Sequence, residues 1–556
     1  MTGAAASSAP AARPAGFRGI FRDDLPARAV YSEGAGIARA LPAAVAVPRD
    51  AEDVATLVRW AAETRTPLIA RGSGSGMAGG AVGAGVIVDL SRLDEIGAVE
   101  RGAPRGLPHA AGRVRCGPGA LRGEVDARAR AQGLRFPVDP SSGAFCTVGG
   151  MVATNAAGAR TLRFGATRRW VAALDCVFAD GTRATVHRGE TPPAVPALAR
   201  AREALALWLG HAAAPAHAGV RKESSGYAVA DYARSHDFVD LLVGSEGTLA
   251  LFAGVELALA PAAGATSSVL AAFATLEAAV DGAARAREAG ASACELLDRT
   301  FLEVAAQGAP LGIPPESEAV LLIEAEGESA DEAAALARRI GEECAAAGAT
   351  TVELALDAAT ETRLWTLRHA ASPILSRLDP ALKSMQFIED GCVPPERLPE
   401  YVRGVRAALA AHGIRGVIFG HAGDANVHVN PLVDVRRPDW REQVGALLGD
   451  VAALTASLGG TLSGEHGDGR LRAPLAPRVW PERAISAFAA VKRAFDPEGI
   501  LNPGVKLALP GQAPLVEIKY DPALPPLPAA ASEALRAVER ERAYARFRLD
   551  LLESGT

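Results

Sequence analysis

The chain has 556 residues, of which 49 % are hydrophobic and 22 % charged, with a net charge of -6. That length exceeds one ordinary core and predicts two or three domains; the weak acidity gives no basis for binding nucleic acid or a membrane surface. The six cysteines (Cys116, Cys146, Cys176, Cys294, Cys344 and Cys392) are scattered without a CxxC pair, which argues against a disulfide framework, a zinc ribbon and an iron–sulfur cluster within the chain.

Residues 1–16 are rich in Ala, Pro and Ser and read as a disordered leader, not a signal peptide. No apolar run of about 18 residues is present, so no membrane span is expected. The expected location is cytoplasmic, with peripheral attachment to a membrane partner left open. Val45–Pro48 is a short strand, and Asp50 caps a helix carrying Val54, Leu57, Val58 and Ala61. Pro67–Ala70 is the next strand, Arg71 to Gly80 is glycine-rich, and Val86–Leu90 is again a strand. Gly74, Gly76 and Gly79 match GxGxxG, but a dinucleotide fold of that type needs a helix opening at the third glycine. Here Gly80, Gly83, Gly85 and a β-branched strand follow, which rejects that reading. The loop is either an anion nest for phosphates or a structural turn.

A second Gly/Ser/Thr/Asn cluster runs from Pro137 through Thr147–Gly158 to Gly165. It is backbone lying against a large ligand, or a long loop. Ala173–Ala179 with the Asp180-Gly181 turn is a hairpin signal. Asp240–Leu249 reads as a buried strand ending in a glycine turn, and the strand Gly254–Leu259 ends at Pro261. Beyond it, helical segments (272–288, 329–348) alternate with strand-like runs (Ala319–Glu324, Thr350–Leu356), which predicts a separate α+β domain. Arg368 and Lys383 suit carboxylate binding; the alternative for each is a solvated surface charge. His369 has no special role.

The chemistry concentrates in Gly420–Asn430 and Gly464–Gly469, which hold three of the ten histidines. His421 and His428 are too far apart for one helix face, and in one unbroken strand they would point to opposite faces. Gly423-Asp424 supplies a turn or bulge that brings both imidazoles to one point. With a Glu465 oxygen they form a three-ligand set for a divalent metal that leaves positions open for substrate. His466 is the candidate base. The alternative is a set of polar loop residues beside glycines. The chain closes with a helix to Phe495, Asn502-Pro503-Gly504, a Pro-rich stretch from 511 and a charged helix over 531–552 with sparse apolar residues. That tail is expected to pack poorly and to be mobile or a partner contact.

The fixed order of glycine loops, followed by the two His motifs and Asn502-Pro503-Gly504, resembles the FAD-linked 2-hydroxyacid dehydrogenases of the vanillyl-alcohol oxidase/p-cresol methylhydroxylase superfamily over residues 20–508. That family includes D-2-hydroxyglutarate dehydrogenase, cytochrome-linked D-lactate dehydrogenase and the flavin subunit of glycolate oxidase. The resemblance implies an α+β fold: a two-part FAD-binding domain of the p-cresol methylhydroxylase type over 17–262, an α+β substrate (cap) domain over 263–475 and a return to the FAD domain over 476–508. The tail 509–556 is then a docking segment for a partner.

By the same resemblance Arg71, Gly72, Ser73, Gly74, Ser75, Gly76, Met77 and Gly79 cradle the FAD pyrophosphate. Pro140, Ser141, Gly149, Gly150, Asn155, Gly158, Gly165, Gly244, Glu246 and Gly247 line the adenosine and isoalloxazine, and Asn502 lies near the flavin ring. His421, His428 and Glu465 hold a divalent metal, usually Zn²⁺, and His466 is the base. Arg368, Ser372, Lys383 and Asn430 fall where substrate contacts are placed. Covalently flavinylated relatives attach FAD through a His in the first glycine loop, where this chain has Ser75, so FAD is expected to be noncovalent.

Many relatives with this Gly-Glu-His-Gly-Asp-Gly form continue into cysteine-rich iron–sulfur motifs, which this chain lacks. The expected acceptor is external: a quinone, cytochrome, electron-transfer flavoprotein or iron–sulfur subunit. The expected activity is oxidation of a small D-2-hydroxyacid. The rivals are an O₂-using oxidase, a flavoprotein subunit without turnover and an alkyl-transfer synthase. A homodimer is left open.

Overall fold

Among the described residues, three sheets organise the chain. The computed structural model describes residues 12–210, 213–306, 312–369 and 382–553. The first sheet contains β1 (Ile20–Arg22), β2 (Ala44–Val47), β3 (Leu68–Arg71) and β4 (Val86–Asp89) in the order β1-β2-β4-β3. β4 runs parallel to both β2 and β3. Such central parallel strands are covered on both faces, which is why they read as continuous apolar runs. The Asp50 carboxylate accepts from the Glu52 and Asp53 amides, starting the helix Ala51–Thr64, whose Val54, Leu57, Val58 and Ala61 are buried.

The second sheet has the order β5-β6-β10-β8-β9: β5 (Ile96–Arg101), β6 (Gly112–Cys116), β8 (Val171–Val177), β9 (Arg183–His187) and β10 (Leu251–Pro261), with β7 (Leu134–Arg135) paired to β10. The helix Glu482–Phe495 returns to this core through Phe488, Val491 and Phe495. Leu501 then bridges back to Leu68 of β3.

The third sheet has eight strands, in the order β14-β11-β13-β12-β17-β18-β15: β11 (Ala265–Phe273), β12 (Ala293–Asp298), β13 (Ala319–Gly327), β14 (Ala349–Ala355), β15 (Leu382–Ser384), β17 (Arg415–His421) and β18 (Asn426–Asp434). β16 (Gly391–Cys392) pairs with β18. Two-point ion pairs, the first of them buried, tie this sheet to β7 and to the second glycine cluster. Arg135 donates to both Glu326 oxygens at 2.7 and 2.6 Å, and Arg160 to Glu324 at 2.8 and 2.6 Å. The architecture is α+β, as expected.

Three local expectations are corrected. The 240–249 strand is instead a short helix, Phe238–Leu242, begun by Asp237, followed by a turn into β10. Positive φ at Gly244, Glu246 and Gly247 is incompatible with an extended run there. The 272–288 helix begins only at Leu276, with Thr275 as its cap, because Ala272 and Phe273 belong to β11. The tail is packed: Ala531, Ala534, Val538, Leu549 and Leu551 are buried with Ala27, Ala29, Val30 and Tyr31. Small side chains on both faces let the helices approach closely, so few large apolar residues are needed. The tail helix spans Ala529–Glu541 and stops at Arg542, where φ is +53°. Among the described residues no helix is long and apolar enough to cross a membrane.

Candidate active site

The β17–β18 hairpin positions both ligand histidines. Its register pairs Phe419 with His428 and His421 with Asn426. His421 and His428 are therefore diagonal neighbours on one face of an antiparallel pair. The reversal is a turn over Ala422–Asp424, closed by Ala425 at φ +54°. Glu465 arrives from the other motif, held by Asp390, whose carboxylate accepts from the Glu465 and His466 amides at 3.1 and 2.8 Å. The Asn426 amide and Ser463 hydroxyl also donate to Asp390, each at 3.1 Å.

The three donor atoms form a nearly equilateral triangle. His421 Nε2 is 3.3 Å from His428 Nε2 and 3.4 Å from Glu465 Oε1; His428 Nε2 is 3.2 Å from the same oxygen. A tetrahedral ion with bonds of about 2.0–2.1 Å has donor–donor edges of about 3.3–3.4 Å. Each imidazole donates its other nitrogen elsewhere: His421 Nδ1 to Glu295 at 2.5 Å and His428 Nδ1 to the Glu389 carbonyl at 2.8 Å. That keeps Nδ1 protonated on both rings and aims the two Nε2 atoms at each other and at a carboxylate oxygen, the arrangement a cation needs. The donor set fits a divalent metal.

Charged neighbours reinforce this centre. Lys222, whose side chain is 1 % exposed, donates to Glu465 Oε2 and the Gly158 carbonyl, both at 3.1 Å. Burial opposes its charge, but Glu465 and Asp424 hold its pKa above the ordinary lysine value. Burial likewise works against a charged Glu295, yet His421 and Arg368 hold that carboxyl at about 2. His421 itself is pushed up to about 9, because Glu295 outweighs the cost of burying the ring's charge. His466 Nδ1 donates to Glu389 Oε2 at 2.6 Å, and its Nε2 faces Glu465 Oε1 at 3.4 Å. Burial would lower His466, but Glu389 and Asp390 raise it well above a free imidazole's value, making it a stronger base.

A cavity of about 470 Å³ runs from the glycine loop to this centre, with Glu465 and His466 in its wall. Arg71, Gly72, Ser73, Gly74, Ser75, Gly76, Met77, Pro140, Ser141, Gly149, Gly150, Glu246 and Gly247 also line it. A Cβ on Gly72 would come within 2.1 Å of Thr147 Oγ1, so the two glycine clusters need that close approach. Glu246 accepts from the Asp468 and Gly469 amides at 2.7 and 3.0 Å, joining the glycine turn before β10 to the second His motif. A Cβ on Gly469, at φ +51°, would meet the Ala78 carbonyl oxygen at 1.9 Å.

Six residues expected to contact cofactor stand behind the wall. Gly79 packs against Ala38, and Gly244 against Arg168. Asn155 ends the helix Val148–Thr154 in a left-handed turn, and its Oδ1 accepts from the Arg168 amide. The Gly158 carbonyl is taken by Lys222, and Gly165 closes the short helix Thr161–Phe164. Asn502 donates to the carbonyls of Gly80 and Glu246, bracing two glycine loops. Arg71 also serves as a strut: its guanidinium donates to the carbonyls of Tyr31, Glu33 and Ala81.

Of the expected substrate contacts, Arg368 donates to Glu295 Oε2 at 2.7 Å and stacks 4.6 Å from the Phe419 ring, one carboxylate away from His421. Asn430 Oδ1 lies 3.5 Å from the Gln386 amide, and Gln386 lines the cavity beside Ser384. Lys383 lies 5.9 Å from the Tyr520 ring, and Ser372 lies outside the described residues. Sequence reasoning missed Lys222, Glu295, Glu389 and Asp390. The only trace of them was an acidic pair directly after the apolar run that ends at Ile388.

Comparison with known proteins bears on this site. A family model described as FAD binding domain matches residues 42–187, and one described as FAD linked oxidases, C-terminal domain matches 263–505. The chain is 31 % identical over 466 residues to a D-lactate dehydrogenase of Archaeoglobus fulgidus, covering 83 % of this chain and 90 % of that one. It is 29 % identical to glycolate oxidase subunit GlcD of Bacillus subtilis, covering 88 % and 94 %. It is 30 % identical to D-2-hydroxyglutarate dehydrogenase of Escherichia coli, covering 88 % of this chain and 50 % of that one. Among solved structures, 4-ethylphenol oxidase from Gulosibacter chungangensis shares the fold, with a TM-score of 0.63 at 16 % identity, covering 88 % of this chain and 94 % of that one.

Proposed function

The chain belongs to the family of FAD-linked oxidoreductases acting on 2-hydroxyacids, and on that premise we propose that it oxidises a D-2-hydroxyacid of the lactate, glycolate or 2-hydroxyglutarate class to the 2-oxoacid. The observation that carries this reading is one cavity whose wall holds both the glycine-rich loop and Glu465 with His466, Glu465 being the corner through which the His421–His428–Glu465 triangle reaches that wall.

FAD, held noncovalently by Gly72–Met77 and by Gly149 and Gly150 at the start of the helix Val148–Thr154, supplies when bound an acceptor for the C2 hydrogen as hydride. A divalent ion on His421, His428 and Glu465, zinc by the donor set, supplies when bound Lewis-acid polarisation of the substrate hydroxyl. The hydroxyl proton goes to His466 Nε2, while Glu389 keeps the other ring proton on Nδ1 and orients the ring. Neutralising Glu465 with a cation removes one of the charges that raise His466, which favours the neutral ring a base must present. Arg368, Ser372, Lys383 and Asn430 orient the substrate carboxylate. The two electrons leave to an external acceptor, since the cysteines have no cluster-ligand spacing.

Anaerobic mixing with both enantiomers of each acid tests this. The D-form of one substrate should bleach the flavin absorbance within a turnover, with the 2-oxoacid recovered stoichiometrically. Flavin that stays oxidised with every acid would refute the reading.

A further inference from the structure

The matched oxidase model ends at residue 505, yet the chain beyond it comes back to the cofactor cavity. Ile518 bridges to Ala38, and the Lys519 amide donates to the Ile37 carbonyl at 2.9 Å, pinning the returning segment beside the glycine loop. Tyr520, Glu539, Arg542 and Tyr544 then line the same cavity as Gly72–Met77. The Tyr544 ring is 5.3 Å from that of Phe145, another wall residue, and the Arg542 guanidinium is 5.6 Å from the same ring. Glu539 accepts from Lys519 Nζ at 2.9 Å and the Tyr520 hydroxyl at 3.1 Å, which fixes this part of the wall.

Arg548 is the less expected feature. It is 3 % exposed, and its Nη2 reaches the Ser73 carbonyl of the glycine loop at 3.4 Å. Its Nε and Nη1 are buried and have no hydrogen-bond partner among the described residues. Burial, and then the charge of the neighbouring Arg71, pull Arg548 down to about 10. The nearby Asp89 carboxylate, which accepts from the Tyr31 hydroxyl and the Ser91 amide, offsets part of this charge but gives Arg548 no hydrogen bond. Two guanidiniums packed behind one glycine loop make a positive region that is costly in an empty site and complementary to a diphosphate in front of it.

We propose that the C-terminal tail is part of the FAD site: Arg548 adds positive charge behind the loop that cradles the diphosphate, and Tyr520, Glu539, Arg542 and Tyr544 close the cavity wall. This rests on the reading that the cavity holds FAD. The tail's packing against the buried face of Leu25–Val30 gives it a defined seat for that role.

The test uses full-length protein stripped of flavin, titrated with FAD and with riboflavin, which has the same ring system and no diphosphate. Arg548→Gln should weaken FAD binding by about tenfold or more and leave riboflavin binding unchanged. Loss of both ligands alike would mean that Arg548 is only structural and would overturn its proposed role. Tyr544→Ala should weaken both ligands, because it opens the wall. Should Arg548→Gln fail to fold, Arg548→Lys, which retains the charge, together with Tyr544→Ala decides the matter: wild-type FAD affinity in Tyr544→Ala overturns the proposal. Wild-type protein that binds no FAD would sink the cofactor reading instead, a separate outcome.

Discussion

Glu295→Gln isolates the support behind the metal centre. Glu295 is almost fully buried on β12, whose register sets it opposite His421. One carboxylate oxygen takes His421 Nδ1 at 2.5 Å and the other takes Arg368 Nε at 2.7 Å. Glutamine keeps the shape but removes the charge, and it can present its amide nitrogen where His421 needs an acceptor. The imidazole then becomes a weaker donor and loses its enforced tautomer. Such supports are typically worth 10–100-fold in metal affinity, about 1.4–2.7 kcal/mol. Arg368 also loses its charged partner in a largely buried position, which adds a stability loss of about 1.5–3 kcal/mol. Metal affinity is read by competition with a chromophoric chelator, and stability by denaturant unfolding of the metal-free protein. Wild-type metal affinity in a folded Glu295→Gln protein would refute the reasoning, because His421 would then not depend on Glu295 for its ligating form.

Acid precipitation should release all the flavin into the supernatant, since no His or Cys lies between 71 and 80; colour in the pellet would disprove noncovalent binding. His421→Ala and His428→Ala should retain the oxidised flavin spectrum yet abolish its reduction by hydroxyacid, and full activity in metal-free protein by elemental analysis would contradict this. Arg368→Ala should raise KM for the acid by about tenfold or more, the scale of a charge-assisted contact; an unchanged KM would leave Arg368 solely as the partner of Glu295. Substrate-reduced enzyme should reoxidise slowly in air and quickly with an artificial dye, whereas hydrogen peroxide formed at the dye-linked rate would identify an oxidase.

The elements legible in the sequence are those whose information is local. The Asp50-capped helix, the β8–β9 hairpin at Asp180-Gly181 and the glycine loop at 71–80 each carry their cause within a few residues. The same holds for His421 and His428, because a single hairpin turn brings them together. Local signals also misled. The apolar run at 240–249 has strand composition, but Asp237 and three left-handed positions impose a helix and a turn.

Other features were decided only by tertiary structure. Lys222 meets Glu465 across 243 positions and Glu295 meets His421 across 126, so no window of sequence reports either pairing. Asp390 becomes a hub only when the two His motifs converge on it. The tail looked poor in apolar residues because alanines, Ala531 and Ala534, share its buried face with Val538, Leu549 and Leu551, and they pack where Ala27 and Ala29 leave room beside Val30 and Tyr31. A buried charge carries no signature of its own in a sequence; it acquires its partners, and its shifted proton affinity, only when the chain has closed around it.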